Sequence, residues 1–329
     1  MSHAVRPTLE MLWETQDPEQ TLQERFGFTD AGSAGQWVAQ TLDEHWGLDV
    51  VCERIVMSAG NALAWVATPT ESLLVKWSMS ADRFSRLAEL ARLTLWLADR
   101  GLPVSAPRRS LSGEPQIVVG GVSMSVQRVI EGDLLDTTKA EQVHAAGAAL
   151  AQLHQALACY PHANALDRPR SRRRAFADRV AELITSAGER APELVTETLE
   201  PNAADTRTDG SPPQLVHGDF RSANILCHGS DVLAIIDFEE ARIDHCVDEL
   251  ARSAVLLGTR FHDWGPVSPR VHATFLAGYQ SVRQLSPVEL EWWHPLILGY
   301  TLAFIPADDD PHGWRASALE LTRRGARPS

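Results

Sequence analysis

Three polar side chains between residues 214 and 244 have the types and the spacing that phosphoryl transfer requires. Asp219 ends a His-Gly-Asp motif, Asn224 follows five positions later, and Asp237 directly follows an apolar run at 232–236. This chemistry needs a carboxylate that orients an attacking hydroxyl and accepts its proton, and oxygen ligands for the Mg²⁺ that bridges the ATP phosphates. We therefore assign Asp219 as the catalytic base, and Asn224 and Asp237 as catalytic metal ligands.

Two short apolar segments are predicted to position these residues. Leu215-Val216 has the pattern of a buried strand that leads into the loop, and 233–236 has the pattern of a second strand with Asp237 at its exposed end. The alternative is a hairpin in which Asp and Asn only make turns, as these residues often do. The joint pattern favours the catalytic interpretation.

The sequences HGDFRSANIL and IIDFEEARID resemble the motifs of the aminoglycoside phosphotransferase and choline kinase-like family, which is related to the protein kinases. The resemblance implies the base role for Asp219, the Mg²⁺ roles for Asn224 and Asp237, and a structural role for His217 in bracing the loop. It spans roughly residues 50–300 and is strongest at 214–251.

Two positions depart from the family pattern. Glu249 stands where an aspartate is usual, which leaves open how that residue braces the loop. Glu239 follows Phe238 where a protein kinase has glycine, a change that the small-molecule members tolerate.

The resemblance implies an α+β, two-lobed, protein-kinase-like fold, with a small β-rich N-terminal lobe and a larger, mostly helical C-terminal lobe. We expect an N-terminal helical extension at 1–48, a nucleotide-binding lobe with its hinge at 49–132, and a catalytic and acceptor-binding lobe at 133–329. The pattern predicts helices beginning near Asp17 and at 34–46, then three strands within 50–77.

The expected nucleotide-binding residues lie in the N-terminal lobe. Lys76 ends the apolar strand LLVKW, where an unpaired lysine on a buried face would be costly; the alternative is a lysine at an exposed strand end. The resemblance implies that Lys76 binds the nucleotide phosphates and pairs with a helix glutamate. Glu89 is the only glutamate of the predicted helix at 81–100 and is the expected partner, with a solvent-facing glutamate as the alternative. Ser58, Gly60 and Asn61 form the turn expected to cover the phosphates. For the hinge that meets adenine, the resemblance indicates Gln127, Val129 and Ile130.

The acceptor region is less well defined by the sequence. The C-terminal helices are expected to build it, with Trp264, Trp292, Trp293 and the acidic triplet at 308–310 as candidate contacts, although core packing and solvation are the commoner roles of such residues. His154 lies on the predicted helix at 139–157 and is assigned to the core. A basic run is either a solvated face or a docking patch for an anionic or peptide partner; it comprises Arg168, Arg170, Arg172, Arg173 and Arg174.

Composition limits the partners. A net charge of −13 disfavours general nucleic-acid binding and anionic membranes, and it suits a cationic acceptor or mere solubility. The four cysteines show no metal-ligand spacing, and the N-terminus has no signal-peptide pattern, so we expect a cytoplasmic protein that is not membrane-bound.

The co-substrate is expected to be ATP or GTP with Mg²⁺. The acceptor hydroxyl is left open among an aminoglycoside or related antibiotic, homoserine, choline, a sugar, and a Ser or Thr of a peptide. A nucleotide-binding pseudokinase is the alternative without catalysis, and the joint presence of Lys76, Asp219, Asn224 and Asp237 argues against it.

Overall fold

The computed structural model describes residues 6–58, 61–167, 212–261 and 263–325, together with residues 178, 182, 183 and 185. Contacts divide the chain into two compact units, Met1–Glu131 and Gly132–Ser329, here called unit 1 and unit 2. The division falls directly after the segment predicted as the hinge.

A single sheet forms the centre of unit 1. Its strands are β1 (Thr8–Met11), β2 (Val51–Met57), β3 (Ala62–Ala67), β4 (Ser72–Ser78), β5 (Ile117–Val119) and β6 (Val122–Arg128). They are ordered β1-β2-β3-β4-β6-β5; β1 is parallel to β2, and the other neighbours are antiparallel. The three strands predicted within 50–77 are confirmed as β2, β3 and β4.

Three helices accompany this sheet. They are α1 (Pro18–Phe26), α2 (Ala31–Trp46) and α3 (Phe84–Ala98), with a 3₁₀ turn (Ala81–Arg83) before α3. Asp17 caps α1 by accepting from the Gln20 N–H, with Pro18 at the first helical position, as predicted. The pattern of this region predicted helices alone. The strand β1 was not predicted, because its residues alternate only between exposed and half-buried and carry little apolar signal.

The helices α1 and α2 pack on one face of the sheet. Their buried side chains, among them Leu22, Val38 and Leu42, share a core with Val75 and Trp77 of β4. The N-terminal segment is therefore part of the core of unit 1. Because successive side chains of a strand point to opposite faces, Lys76 projects from the other face of the sheet.

The strands of unit 2 form two small sheets. They are β7 (Asp133–Leu134), β8 (Gln214–Val216), β9 (Ile225–His228), β10 (Asp231–Ile235) and β11 (Arg242–Asp244). One sheet has the order β10-β9-β7, and the other pairs β11 with β8. The predicted strands at 215–216 and 233–236 correspond to β8 and β10, whereas β9 and β11 were not predicted.

Helices make up most of the remainder of unit 2 that the structure describes. They are α4 (Ala140–Leu157), α5 (Cys246–Leu256), α6 (Pro269–Gln280), α7 (Pro287–Ala303) and α8 (Trp314–Gly325). A Cβ on Gly147 of α4 would lie 2.1 Å from the Phe275 carbonyl oxygen of α6, and one on Gly278 would lie 2.0 Å from that of His144. Glycine thus allows the backbones of α4 and α6 to meet. In the described regions, no helix is both long and apolar enough to cross a membrane.

Candidate active site

The loop that follows β8 is held by His217. This side chain is buried, and its Nδ1 accepts the backbone N–H of Asp219 at 3.2 Å. Because Nδ1 is an acceptor, Nε2 carries the proton and donates to the Ile236 carbonyl at 3.1 Å. His217 therefore ties the Asp219 loop to the residue that precedes Asp237, which is the bracing role that the family resemblance implied.

The turn at Gly218 requires glycine. Its φ is +87°, and a Cβ there would lie 2.1 Å from the Glu240 carbonyl oxygen and 2.6 Å from Arg242 Nη1. A side chain would be strained by the backbone conformation and would also collide with neighbouring backbone. The close approach brings the loop against the segment that follows Asp237.

Asn224 orients the carboxylate of Asp219. Its Nδ2 donates to Asp219 Oδ2 at 3.0 Å and to the Asp219 backbone carbonyl at 2.8 Å. A short 3₁₀ turn, Ser222–Asn224, places the amide in this position. Because both bonds use the nitrogen, the amide oxygen remains as a ligand atom.

Asp237 is held next to Asn224 by a backbone bond. The Ile236 N–H donates to the Asn224 carbonyl at 3.0 Å, and Asp237 is the next residue. Asp237 is exposed, and its φ of +62° is the only positive value of a non-glycine residue in the described regions. Aspartate tolerates this left-handed conformation better than most residues, and such outliers cluster at functional sites.

Asn224 and Asp237 carry the kinds of donor atom that a magnesium ion takes. They offer an amide oxygen and a carboxylate, which are hard oxygen donors, from adjacent backbone positions. Mg²⁺ usually binds one or two carboxylates and keeps water and substrate phosphates for its other positions. The described residues contain no group of three or more His, Cys, Asp and Glu side chains that could hold a metal ion.

Two arginines surround the Asp219 carboxylate. Arg221 Nε donates to Oδ2 at 3.0 Å, and Arg252 Nη1 lies 3.6 Å from Oδ1. Arg252 Nη1 also donates to the Gly218 carbonyl at 2.8 Å. The immediate surroundings of the predicted base are therefore cationic within a chain of net charge −13.

Glu249 on α5 supports the loop from the interior. It is 2% exposed and accepts the backbone N–H groups of His217, at 3.0 Å, and of Gly218. The same carboxylate lies 2.7 Å from His154 Nε2, and His154 Nδ1 lies 2.8 Å from the Tyr279 hydroxyl. The open question of how Glu249 braces the loop is answered by these bonds.

The pair of Glu249 and His154 is ionic. Burial acts to lower the pKa of His154, but its contacts with Cys246, Tyr279 and Glu249 outweigh burial and raise that pKa well above its ordinary value of 6.5. Burial acts to raise the pKa of Glu249, but the hydrogen bond and charge of His154, with His217 and the Gly218 N–H, hold it well below its ordinary value of 4.5. His154 is thus a core residue, as predicted, with a direct connection to the catalytic loop.

The predicted phosphate-binding residues lie in unit 1. Lys76 is half-buried on β4, and Glu89 is buried on α3, where Arg92 binds it through Nε at 3.0 Å and Nη2 at 2.9 Å. The pairing of Lys76 with Glu89 stays a prediction. Ser58 donates its N–H to the Asn61 carbonyl at 2.9 Å, which closes the expected turn. Gly60 of that turn lies outside the described residues.

One backbone N–H of the predicted hinge already makes a hydrogen bond. Val129 donates its N–H to the Ser72 carbonyl at 3.1 Å, so adenine recognition through this N–H requires the bond to open. The Gln127 side chain accepts from the Ser105 hydroxyl at 2.9 Å. Ile130 is half-buried. The adenine contacts therefore stay predictions.

The candidate acceptor residues have different environments. Asp310 caps α8, since its carboxylate accepts the N–H groups of Gly313 and Trp314 at 3.0 Å and of Arg315 at 2.7 Å. This acid of the triplet at 308–310 is therefore engaged in a helix cap. Trp292 and Trp293 are half-buried on α7.

Trp264 lies beside the catalytic loop. The Arg221 guanidinium carbon lies 5.1 Å from the centre of its ring. The basic run at 168–174 falls outside the described residues.

Sequence reasoning missed three side chains around the Asp219 loop, namely Arg221, Arg242 and Arg252. Arg242 Nη1 donates to the Gly218 carbonyl at 3.2 Å. Two of these residues belong to motifs already recognised, so a charge count within the motifs would have drawn attention to them.

Residues 52–292 match the model of the phosphotransferase enzyme family. This chain belongs to that family. A solved spectinomycin phosphotransferase, determined with ADP and spectinomycin, has a TM-score of 0.56 and 14% identity, and the match covers 89% of this chain and 94% of that one. The protein-kinase-like α+β fold is thus confirmed for this phosphotransferase family member.

Two curated relatives carry the same name. A homoserine kinase of Methylorubrum populi is 31% identical over 225 residues, which cover 64% of each chain. A homoserine kinase of Neisseria meningitidis serogroup B is 25% identical over 199 residues, which cover 59% of this chain and 61% of the relative. The match thus spans less than two thirds of the length of each relative.

Proposed function

We propose that this protein transfers the γ-phosphoryl group of ATP or GTP to a hydroxyl of a small-molecule acceptor. The observation that carries the proposal is the backbone of Ile236, whose N–H binds Asn224 and whose carbonyl binds His217. These two bonds tie the loop that carries Asp219 and Asn224 to the residue that precedes Asp237, which supports a shared site for the predicted base and the predicted ligands. Family membership supports the same reaction.

Asp219 acts as the base in this proposal. Its carboxylate accepts the proton of the acceptor hydroxyl as the oxygen attacks the γ-phosphorus, and the bond to the β-phosphate oxygen breaks. Asn224 and the two arginines fix the carboxylate, so little reorganisation accompanies the reaction. Asn224 and Asp237 would hold Mg²⁺, and the ion would supply positive charge against the nucleotide phosphates. Lys76 and its predicted partner Glu89 bind those phosphates.

Homoserine is the first acceptor to test, because both curated relatives are named homoserine kinases. The other acceptors that the sequence left open, including a peptide, stay in the test panel. We place the reaction in the cytoplasm, in keeping with four free cysteines.

The test is mass spectrometry of acceptor pools incubated with the full chain, Mg²⁺ and ATP or GTP. The pools contain homoserine, aminoglycosides, choline, sugars and Ser/Thr peptides. Asp219→Asn is expected to lower turnover about 10²- to 10⁴-fold while nucleotide binding persists. Asp231→Asn, which changes an exposed aspartate on β10, is the matched control and should behave as the wild type.

The outcomes separate the alternatives. A product that forms with wild type and with Asp231→Asn, but not with Asp219→Asn, supports the proposal and names the acceptor. Nucleotide binding without any product would favour the pseudokinase. Equal turnover by Asp219→Asn would remove Asp219 from the role of base.

A further inference from the structure

A cationic side chain beside Asp219 has a hydrogen-bond donor that is not satisfied by the part of the chain that the structure describes. Arg221 is 7% exposed, and its Nε is committed to Asp219 Oδ2 at 3.0 Å. Its Nη1 is buried and has no hydrogen-bond partner among the described residues. The donor lies on the same planar group that contacts the predicted base.

An unfilled, buried, charged donor is costly. The donor gives up its hydrogen bonds to water on burial and gains none in the protein, and this free-energy cost is larger for a charged group than for a neutral one. An anionic oxygen delivered by a ligand would satisfy the donor, because guanidinium groups bind carboxylates and phosphates with strong, charge-assisted bonds.

Trp264 lies next to the Arg221 guanidinium. The centre of its ring lies 5.1 Å from the Arg221 guanidinium carbon, and the residue is 39% exposed. The residue is held in place, since Trp314 Nε1 donates to the Trp264 carbonyl at 2.7 Å. An exposed aromatic surface next to a cation suits a ligand with a short apolar stem and an anionic end.

We propose that Arg221 determines acceptor specificity by binding the carboxylate of a short hydroxy acid through Nη1, while Asp219 receives the acceptor hydroxyl. The inference rests on the phosphotransferase function proposed above. The reaction moves the γ-phosphoryl group from the nucleotide to the hydroxyl oxygen and the proton to Asp219. The carboxylate is unchanged throughout.

The dimensions favour an acceptor of a few carbons. With a hydrogen bond of about 2.9 Å on each side of the guanidinium, an oxygen bound to Nη1 lies about 7 Å from Asp219 Oδ2. A hydroxyl at about 2.6–3.2 Å from Asp219 then leaves about 4–6 Å to the carboxylate oxygen. With bonds of about 1.5 Å, roughly two to four carbons span that gap.

The experiment compares each hydroxy acid with its own amide. Initial rates are measured for homoserine and homoserine amide, serine and serinamide, and 4-hydroxybutyrate and 4-hydroxybutyramide, with aminoglycosides as acceptors that lack a carboxylate. The proteins are wild type, Arg221→Lys, Arg221→Gln and the control Arg323→Gln, which changes an exposed arginine on α8. Thermal shifts with each acid and amide report binding by wild type independently of turnover.

For at least one pair, wild type and Arg323→Gln should prefer the acid about 10- to 100-fold in kcat/KM, the factor expected of a charge-assisted hydrogen bond. In Arg221→Gln the preference should fall to about one, through a higher KM for the acid, with the KM for ATP unchanged. Arg221→Lys should recover part of the preference, since it keeps the charge but not the planar fork.

Other outcomes overturn the inference. If Arg221→Gln lowers kcat equally for acid and amide and raises the KM for ATP, the donor serves the nucleotide phosphates. If wild type phosphorylates aminoglycosides and no hydroxy acid, the proposed function stands and the specificity inference fails. If the variants unfold, equal thermal shifts of wild type with acid and amide refute it. If wild type phosphorylates nothing, the proposed function itself fails.

Discussion

The brace between Glu249 and the catalytic loop gives the sharpest prediction. Glu249 is almost fully buried and receives two backbone N–H groups and the His154 imidazolium. Replacing it by alanine leaves three buried donors without an acceptor, one of them charged. Removing one partner of a buried ion pair typically costs about 3–5 kcal/mol, so Glu249→Ala should lose that amount of folding stability.

Glu249→Gln removes the negative charge of the side chain and keeps its size and shape. In Glu249 one carboxylate oxygen, Oε1, accepts from Gly218, and the other, Oε2, accepts from His217 and His154. The glutamine has only one amide oxygen, so one loop N–H loses its acceptor, and the expected cost is about 1–3 kcal/mol. For a unit of this size, 1 kcal/mol corresponds to about 2–4 °C in Tm. Glu291→Ala, which removes an exposed glutamate of α7, should change stability by less than about 0.5 kcal/mol.

The pH dependence has a defined sign. The His154 pKa rises on folding, so its contribution is complete below the unfolded value of 6.5 and is lost as the pH rises through the folded value. The Glu249 pKa falls on folding, so its contribution is present above the unfolded value of 4.5 and is lost in stronger acid. The difference in folding stability between wild type and Glu249→Gln should therefore be largest between pH 4.5 and pH 6.5, and it should shrink at alkaline pH.

The assay is urea unfolding followed by tryptophan fluorescence and by circular dichroism, with kcat measured on the same samples. Two probes are needed because two compact units need not unfold together. An unchanged midpoint for Glu249→Ala, or a difference that grows in alkali, would refute the brace as described.

Three further substitutions test the site and the packing behind it. Gly218→Ala should lower folding stability by about 2–5 kcal/mol and abolish turnover, because strain at positive φ adds to a clash. The control Gly229→Ala has a φ of +59° but open space around it, so it should lower folding stability by only about 1–2 kcal/mol. Equal unfolding midpoints for the two variants would contradict this prediction. Asp237→Ala should raise the Mg²⁺ concentration for half-maximal rate at least about tenfold, read from a Mg²⁺ titration, and an unchanged titration would exclude Asp237 as a ligand. Gly278→Ala should lower Tm by separating α4 from α6, and a wild-type Tm would contradict the close packing.

The sequence predicted those features that depend on residues close together in the chain. The spacing of Asp219, Asn224 and Asp237 located the three polar residues because it is a local property of the chain. β4 and the helix around His154 were recognised because their apolar periodicity is strong.

Interactions between distant residues escaped prediction. Glu249 lies 32 residues from His217 and 95 from His154, so no local pattern reports that they meet. β1 was missed because its residues alternate only between exposed and half-buried, which leaves little apolar signal. The helix-capping role of Asp310 depends on the placement of α8. The sequence likewise showed an arginine at 221 without showing that its Nη1 would be buried and unfilled.

The long separation within the Glu249 and His154 pair has a consequence during synthesis. At about 5–20 residues per second, the ribosome makes His154 roughly 5–20 s before Glu249. In the later part of that interval the nascent chain already contains the His-Gly-Asp motif, but it still lacks the Glu249 carboxylate that holds the loop. A chain that stops before α5 therefore carries the motif of the predicted site without the carboxylate that holds its loop, and translation must pass Glu249 before the loop can be held as in the complete chain.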